Sequence, residues 1–357
     1  MKQMSHIVFI IPSLQQGGLE NHVTVLANQI AKDNNLKVSI ICYYNNPVFY
    51  EVNENIDVYF PSYSRKGHST FHYYLKSFLF IRKTLKSIKP DKVISFGDFI
   101  NAISILVAKS LSLFVFIGDR SSPGKNFPTF INLLRKLTYP KANGIIAQTH
   151  RAKKQKGEMV GLKVPIEVIP NPLRAISSFN DQKKNVVLCV ARHYHVKGID
   201  RLIEAFANTT DKTWQIEVAG SEGPETKKLK EQAAQLKISD RVVFLGARKD
   251  MDKIYSYSSI FVLPSRSEGL PNALIEAMAH GLPSIAFDIN AGPSDVIKHE
   301  INGILIQDGD IKELTKQLDR LMMDENRRTE LGNKAIEIKE KHSLERITSI
   351  FLNFIDS

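Results

Sequence analysis

The sequence predicts an α/β chain built as two doubly wound, parallel-sheet domains. Three observations carry this. Short apolar runs alternate with longer stretches of helical periodicity, the pattern of a parallel sheet covered on both faces. The alternation stops at Pro170-Asn-Pro172, passes a polar stretch and starts again at Val186. The 357 residues suffice for two domains with cores of their own.

In order, His6 to Ile11 reads as a buried strand, Gln15 to Glu20 as a glycine turn and Asn21 to Ala31 as a helix. Strands follow at Val38 to Tyr43 and Ile56 to Phe60, then a long helix rich in aromatics and lysines from Thr70 to Ile88. Asp91 to Ser95 and Leu113 to Ile117 are strands flanking a helix at Phe99 to Lys109. Ile131 to Leu137 is helical, Gly144 to Ala147 a strand, His150 to Met159 a helix and Ile166 to Ile169 a strand. The second series has strands at Val186 to Val190, Gln215 to Ala219, Val242 to Leu245, Ile260 to Leu263 and Ser284 to Phe287. Its helices are placed at Ile199 to Ala207, Glu225 to Leu236, Met251 to Ser256 and Pro271 to His280, then Ile311 to Met323, Asn326 to Lys341 and Leu344 to Ile355. The domains expected are 1–172 and 185–342, joined by a linker at 173–184, with a helix at 343–357 packing back on the first domain. A ligand is expected in the cleft at the carboxyl ends of the strands.

The apolar fraction of 43% and charged fraction of 24% are those of an ordinary globular protein. Cys42 and Cys189 sit in strand-like runs and read as buried thiols of a cytosolic chain. Met1 to Ser5 shows no signal-peptide pattern, and the apolar stretch from Ala102 to Gly118 is broken by Lys109. The charge is uneven: residues 1–175 hold 23 Lys and Arg against 10 Asp and Glu, and the remainder 25 against 27. Such asymmetry points to an anionic partner of the first half, either nucleic acid or an anionic membrane surface. The Thr70–Ile88 helix combines its aromatics with Lys76, Arg82, Lys83 and Lys86, which suits an anionic bilayer. It equally suits a plain sheet-covering helix.

The densest chemistry lies in Ser265–Gly281. A strand runs through a turn containing Gly269 into a helix opened by Pro271, an arrangement that offers backbone N–H groups and a helix dipole to an anion. Glu268 and Glu276 flank that turn with seven residues between them and can accept hydrogen bonds from hydroxyls. Phosphate with many hydroxyls describes a nucleotide sugar. Arg192 and Lys197 follow the first strand of the same domain, where cations can clamp a diphosphate. Gly220 and Arg248, at later strand ends, are placed to contact base or ribose. In the first domain Gly17-Gly18 admits either a ligand or a plain tight turn, and Asp119-Arg120 either an acceptor or a local ion pair. His193 and His195 read as cleft or loop residues. Asp250-Met-Asp252 and Asp308-Gly-Asp310 read as helix caps, and no metal is expected.

With Glu268, Glu276, Arg192, Lys197, the later Gly-Pro-Ser-Asp295 and Asn302-Gly303 in order, the chain resembles the retaining glycosyltransferases of the GT-B fold, family 4. The resemblance implies that Glu276 holds the ribose hydroxyls and Glu268 the donor sugar. Amides of Gly269, Leu270, Pro271 and Asn272 would meet sugar or phosphate oxygens. Arg192 and Lys197 would bind the diphosphate, with Gly17 and Gly18 approaching it from the acceptor-side domain. Many relatives carry a His after the fifth strand. Here Ile117-Gly-Asp-Arg120 stands instead, similar to the subgroup with an acidic residue and Arg that builds bacterial surface polysaccharides. Asp119 would then position the acceptor or Arg120 rather than act as a base near the reacting carbon. The implied reaction moves a hexose or N-acetylhexosamine from a nucleotide sugar, a UDP-sugar foremost, to a polyprenyl-diphosphate-linked glycan in O-antigen or capsule synthesis. It would need no cofactor and run at the cytoplasmic face of the inner membrane. A sugar-nucleotide epimerase of like architecture and a basic nucleic-acid-binding protein are the alternatives. The latter lacks any recognisable nucleic-acid motif.

Overall fold

The computed structural model describes residues 5–64, 70–119, 127–161, 164–177, 179 and 181–357. Arg120 lies outside them, and the side chain of Asp119 is likewise not described. The chain divides into two compact units, one of Met1–Pro172 with Leu344–Ser357, the other of Leu173–Ser343.

The first unit runs β1 (Ser5–Ile11), α1 (Gly18–Ile30), β2 (Leu36–Cys42), β3 (Asp57–Tyr59), α2 (Thr70–Ile88), β4 (Lys92–Phe96), α3 (Asp98–Ser110), β5 (Phe114–Asp119), α4 (Thr129–Thr138), β6 (Gly144–Ala147), α5 (His150–Val160) and β7 (Ile166–Val168). The strands form one sheet in the order β3-β2-β1-β4-β5-β6-β7, every neighbour parallel. β1 shows why the strand runs are apolar throughout. Successive side chains point to opposite faces, so Ile7, Phe9 and Ile11 enter one core while Val8 and Ile10 enter the other.

The second unit contains β8 (Val186–Val190), α6 (Ile199–Ala207), β9 (Gln215–Ala219), α7 (Thr226–Gln235), β10 (Val242–Gly246), α8 (Met251–Tyr257), β11 (Ile260–Leu263), α9 (Asn272–Ala279), β12 (Ser284–Asp288), α10 (Pro293–Val296), β13 (Ile304–Gln307), α11 (Ile311–Met323), α12 (Glu325–Ala335) and α13 (Ile338–Lys341). Its sheet is also parallel, in the order β10-β9-β8-β11-β12-β13. The last helix, α14 (Leu344–Asp356), packs in the first unit. Ile347, Phe351 and Ile355 lie at helical spacing in the core cluster of Ile7 and Phe9, and the Phe9 and Phe351 rings are 5.9 Å apart.

The structure corrects the sequence reading at three places. Leu173 and Ile176, read as part of a linker, belong to the second unit: the Leu173 amide donates to the His342 carbonyl at 2.7 Å, and both side chains pack on that unit's core. β13 is an additional strand, too short between turns to show a period. The expected helix from Asn326 to Lys341 breaks between Ala335 and Ile338, both of which are buried while Ile336 between them is exposed.

Candidate functional site

Each sheet has one point where the strand order reverses, between β1 and β4 in the first unit and between β8 and β11 in the second. Loops leaving the carboxyl ends of such strands diverge and leave a crevice for a ligand. In the second unit these loops are Ala191 to Gly198 after β8 and Pro264 to Pro271 after β11. They carry Arg192, Lys197 and Glu268.

Backbone packing brings the two loops together. Gly198 is left-handed at φ +66, and a Cβ there would lie 2.0 Å from the Pro264 carbonyl oxygen, so only glycine lets the loops touch. Arg266 then clamps them. Its amide donates to the Val196 carbonyl at 2.8 Å, and its guanidinium forks onto Asp200 at 2.7 and 2.5 Å.

Lys197 and Glu268 meet across this junction, with Nζ 2.7 and 2.9 Å from the two carboxylate oxygens. Ser265 donates to Glu268 Oε1 at 2.6 Å. The Glu268 side chain is only 10% exposed, and Lys197 and Ser265 satisfy its oxygens. Arg192 remains exposed, its guanidinium over the Tyr194 ring at 5.3 Å.

Glu276 sits one turn inside α9 with a partner that sequence reasoning missed. Arg174 Nε is 3.2 Å from Glu276 Oε2, and an Arg174 terminal nitrogen is 2.5 Å from Asp252 Oδ1. His280 completes the group, with Nδ1 2.8 Å from the Glu276 carbonyl oxygen and Nε2 3.3 Å from Asp252. Burial pushes the Glu276 carboxyl above its usual range, and Arg174 opposes that shift. Burial also holds His280 below its usual value, so it is neutral at pH 7. No spacing in the sequence marks Arg174, because it falls in a stretch that reads as linker.

The α9 turn differs in detail from the expectation. Pro271 is the N-cap rather than the first helical residue, and the Asn272 amide is already engaged by the Leu270 carbonyl at 3.1 Å. Leu270 is buried, and Gly269 abuts Gly292, whose missing Cβ would lie 2.6 Å from the Gly269 carbonyl oxygen. Gly220 is required by packing, since its Cβ would lie 2.0 Å from the Ala191 carbonyl oxygen. Arg248 is held by Asp250 at 2.9 and 2.6 Å in the loop that follows β10, a strand separated from β8 by β9. His193 lies in the loop after β8, fully buried, with Nδ1 2.9 Å from the Thr226 hydroxyl. Of the Asp pairs, Asp310 caps α11 through the Glu313 amide at 2.9 Å. Asp250 and Asp252 instead spend their carboxylates on Arg248 and Arg174.

In the first unit, Tyr50 braces the Gly17-Gly18 turn. The Gly17 amide donates to its hydroxyl at 3.1 Å, and that hydroxyl donates to the Gly17 carbonyl at 2.9 Å. The Glu20 carboxylate lies over Gly17, filling the place of a Cβ, whereas a Cβ on Gly18 would meet nothing within 4 Å. Gly17 is thus committed internally, and open backbone is found at Gly18. Asp119 is the last residue of β5, paired in register with Ala147. On α2, Lys76 lies over the Tyr63 ring at 5.8 Å and Arg82 Nε reaches Ser110 on α3 at 3.3 Å, while Lys83 and Lys86 are exposed. Among the described residues no helix is long and apolar enough to cross a membrane.

Two family models match successive parts of the chain. Residues 16–174 match "Glycosyltransferase Family 4" and residues 174–338 match "Glycosyl transferases group 1". An uncharacterized glycosyltransferase of Haemophilus influenzae is 28% identical over 96% of this chain and 98% of its own length. An undecaprenol-linked-glycan alpha-1,4-N-acetyl-D-galactosaminyltransferase of Campylobacter jejuni is 28% identical over 99% and 98%. Among solved structures, the lipopolysaccharide outer core galactosyltransferase WaaB has a TM-score of 0.81 at 21% identity, covering 98% of each chain. The Anabaena protein Alr3699/HepE, solved with UDP, has a TM-score of 0.82 at 16% identity, covering 98% of this chain and 99% of its own. The fold is shared over nearly the whole length, and the two family models meet at residue 174, one residue past the start of the second unit at Leu173. The chain belongs to the family 4 glycosyltransferases and is a transferase of the GT-B fold.

Proposed function

We propose that the protein transfers a hexose or N-acetylhexosamine, with retention at the anomeric carbon, from a UDP-sugar to a polyprenyl-diphosphate-linked glycan. The observation that carries this is the junction of Lys197, Glu268 and Ser265 at the β8–β11 reversal, with Glu276 and Arg174 on the adjoining helix. The junction offers a cation to a diphosphate and a carboxylate to sugar hydroxyls. Glu276, its charge supported by Arg174, is an acceptor for the ribose. The lipid-linked acceptor is supported by the relatives from Campylobacter jejuni named for undecaprenol-linked substrates, and UDP by the complex of a fold neighbour.

When the glycosidic bond to the nucleotide breaks, negative charge gathers on the β-phosphate. Fixed cations at that oxygen lower the barrier, which is the role given to Arg192 and Lys197. Lys197 exchanges one Glu268 contact for phosphate, freeing that carboxylate for the donor sugar. Neither glutamate acts as general base. No metal takes part. The first unit presents the acceptor side, with open backbone at Gly18 and Asp119 at the end of β5, and α2 turns Lys83 and Lys86 toward an anionic membrane face. Calorimetry of UDP, GDP, ADP and CMP against wild type and Glu276→Ala tests the donor half. UDP is expected to bind most tightly and to lose affinity in the variant. Unchanged UDP affinity in Glu276→Ala would overturn the ribose assignment.

A further inference from the structure

The helix α4 is amphipathic with its apolar face outward. Phe130, Leu133 and Leu137 are 65%, 54% and 59% exposed and recur at i, i+3 and i+7, one face of the helix. Its inward face carries Arg135 and Thr138, both buried, with the Arg135 guanidinium 4.3 Å over the Phe127 ring. A soluble surface helix shows the opposite arrangement. Single exposed leucines need no explanation, but three large apolar side chains aligned on ten residues do.

The surroundings of this stripe identify what covers it. α2 and α3 pack on the core of Val8, Ile10, Val93 and Val115, and α4 lies against α3. Leu75 and Leu79 are exposed on α2, at i and i+4. Neither α2 nor α4 contains an acidic residue. Lys83 and Lys86 on α2, Lys109 on α3 and Lys136 on α4 are all exposed. Exposed apolar side chains with Lys136 on the same helix, and exposed lysines but no acid on α2, match the boundary between acyl chains and anionic headgroups. A second copy docked symmetrically through this face would set lysines against lysines, which disfavours a dimer.

We infer that α4 is a membrane-insertion element: Phe130, Leu133 and Leu137 enter the acyl boundary of an anionic leaflet, while the lysines of α2, α3 and α4 hold the headgroups. This deepens the proposed lipid-linked chemistry and rests on it for its purpose. Its test, however, needs neither donor nor acceptor, so either idea can fail alone.

Phe130→Trp places a fluorescent reporter on the stripe. The chain's single tryptophan, Trp214, is buried in the second unit and supplies a constant background. With phosphatidylcholine vesicles containing anionic phosphatidylglycerol, emission from the reporter indole should shift to the blue and be quenched by lipids brominated in the acyl chain. Leu133→Ser with Leu137→Ser should weaken vesicle binding by about tenfold or more at any salt. Lys83→Glu with Lys86→Glu should weaken it chiefly at low salt. Retained UDP binding and thermal midpoint show that these exposed substitutions leave the fold intact. The inference is overturned if vesicles pellet the protein without altering the reporter, or if they fail to pellet it. It is equally overturned if the reporter shifts with protein concentration in the absence of lipid, the mark of a second copy.

Discussion

Replacing Arg174 by Met removes the cation that faces both Glu276 and Asp252. The side chains of Arg174, Glu276 and Asp252 are 33%, 22% and 14% exposed, so water screens the trio only in part. Removing one partner of a fully buried pair costs about 3–5 kcal/mol, and the partial exposure here brings that to roughly 2 kcal/mol of stability. The effect on binding follows from protonation. Burial already raises the Glu276 carboxyl and Arg174 is its main opponent, so in the variant more of it is protonated at neutral pH. A hydrogen bond to a charged acceptor is worth about 1.5–3 kcal/mol and to a neutral one about 1 kcal/mol. UDP affinity at pH 7 should therefore fall roughly 2- to 30-fold. Because the loss comes from a proton, affinity in the variant should recover as pH rises from 6 to 9, more steeply than in wild type, and Arg174→Lys should restore most of it. Calorimetric titration of UDP across that range measures both effects. Wild-type affinity in Arg174→Met, or a loss that does not change with pH, would refute the argument.

Other outcomes follow from the same contacts. Gly198→Ala forces a Cβ into the Pro264 carbonyl at left-handed φ and should cost about 3 kcal/mol or more in urea unfolding, whereas Gly18→Ala, with open space around it, should stay within about 0.5 kcal/mol. His6, His193 and His280 are each held below 6.5 by burial, so the unfolded chain binds protons first as the medium is acidified. That stability is present above pH 6.5 and is lost as pH falls through the lower folded values. The thermal midpoint should drop between pH 7.5 and 5.5, and less so in His280→Gln. Ending the chain at Ser343 exposes the bed of Ile347, Phe351 and Ile355. At about 1.5–3 kcal/mol for each, the loss of about 5–9 kcal/mol approaches the whole stability of a domain, and cooperative unfolding of the first unit should disappear from calorimetric scans.

Much of the fold was legible because its strands are buried on both faces and read as unbroken apolar runs. β8, β9 and β11 begin and end where Val186 to Val190, Gln215 to Ala219 and Ile260 to Leu263 suggest. The order of loops after β8 and β11 likewise gathered Lys197 and Glu268 from positions far apart in sequence. What the sequence hid are relations between side chains that have no period. Arg174 reaches Glu276 from a segment with turn-like composition, and Tyr50 reaches Gly17 from a loop 33 residues away. Gly220 and Arg248 look alike as residues at strand ends, but packing accounts for one and a local ion pair for the other. The outward stripe of α4 could not be read at all, since periodicity gives an apolar face without saying which way it points.

The central claim is sugar transfer to a lipid-linked acceptor, and one measurement addresses it most directly. The purified protein is incubated with a panel of UDP-sugars, with and without a polyprenyl-diphosphate-linked oligosaccharide, while UDP release and the mass of the lipid product are followed. The account predicts one donor whose UDP release is strongly accelerated by the acceptor, with the product heavier by one hexose or N-acetylhexosamine and no need for added metal. Conversion of a UDP-sugar to its isomer without acceptor, or UDP release indifferent to acceptor for every donor, would contradict it.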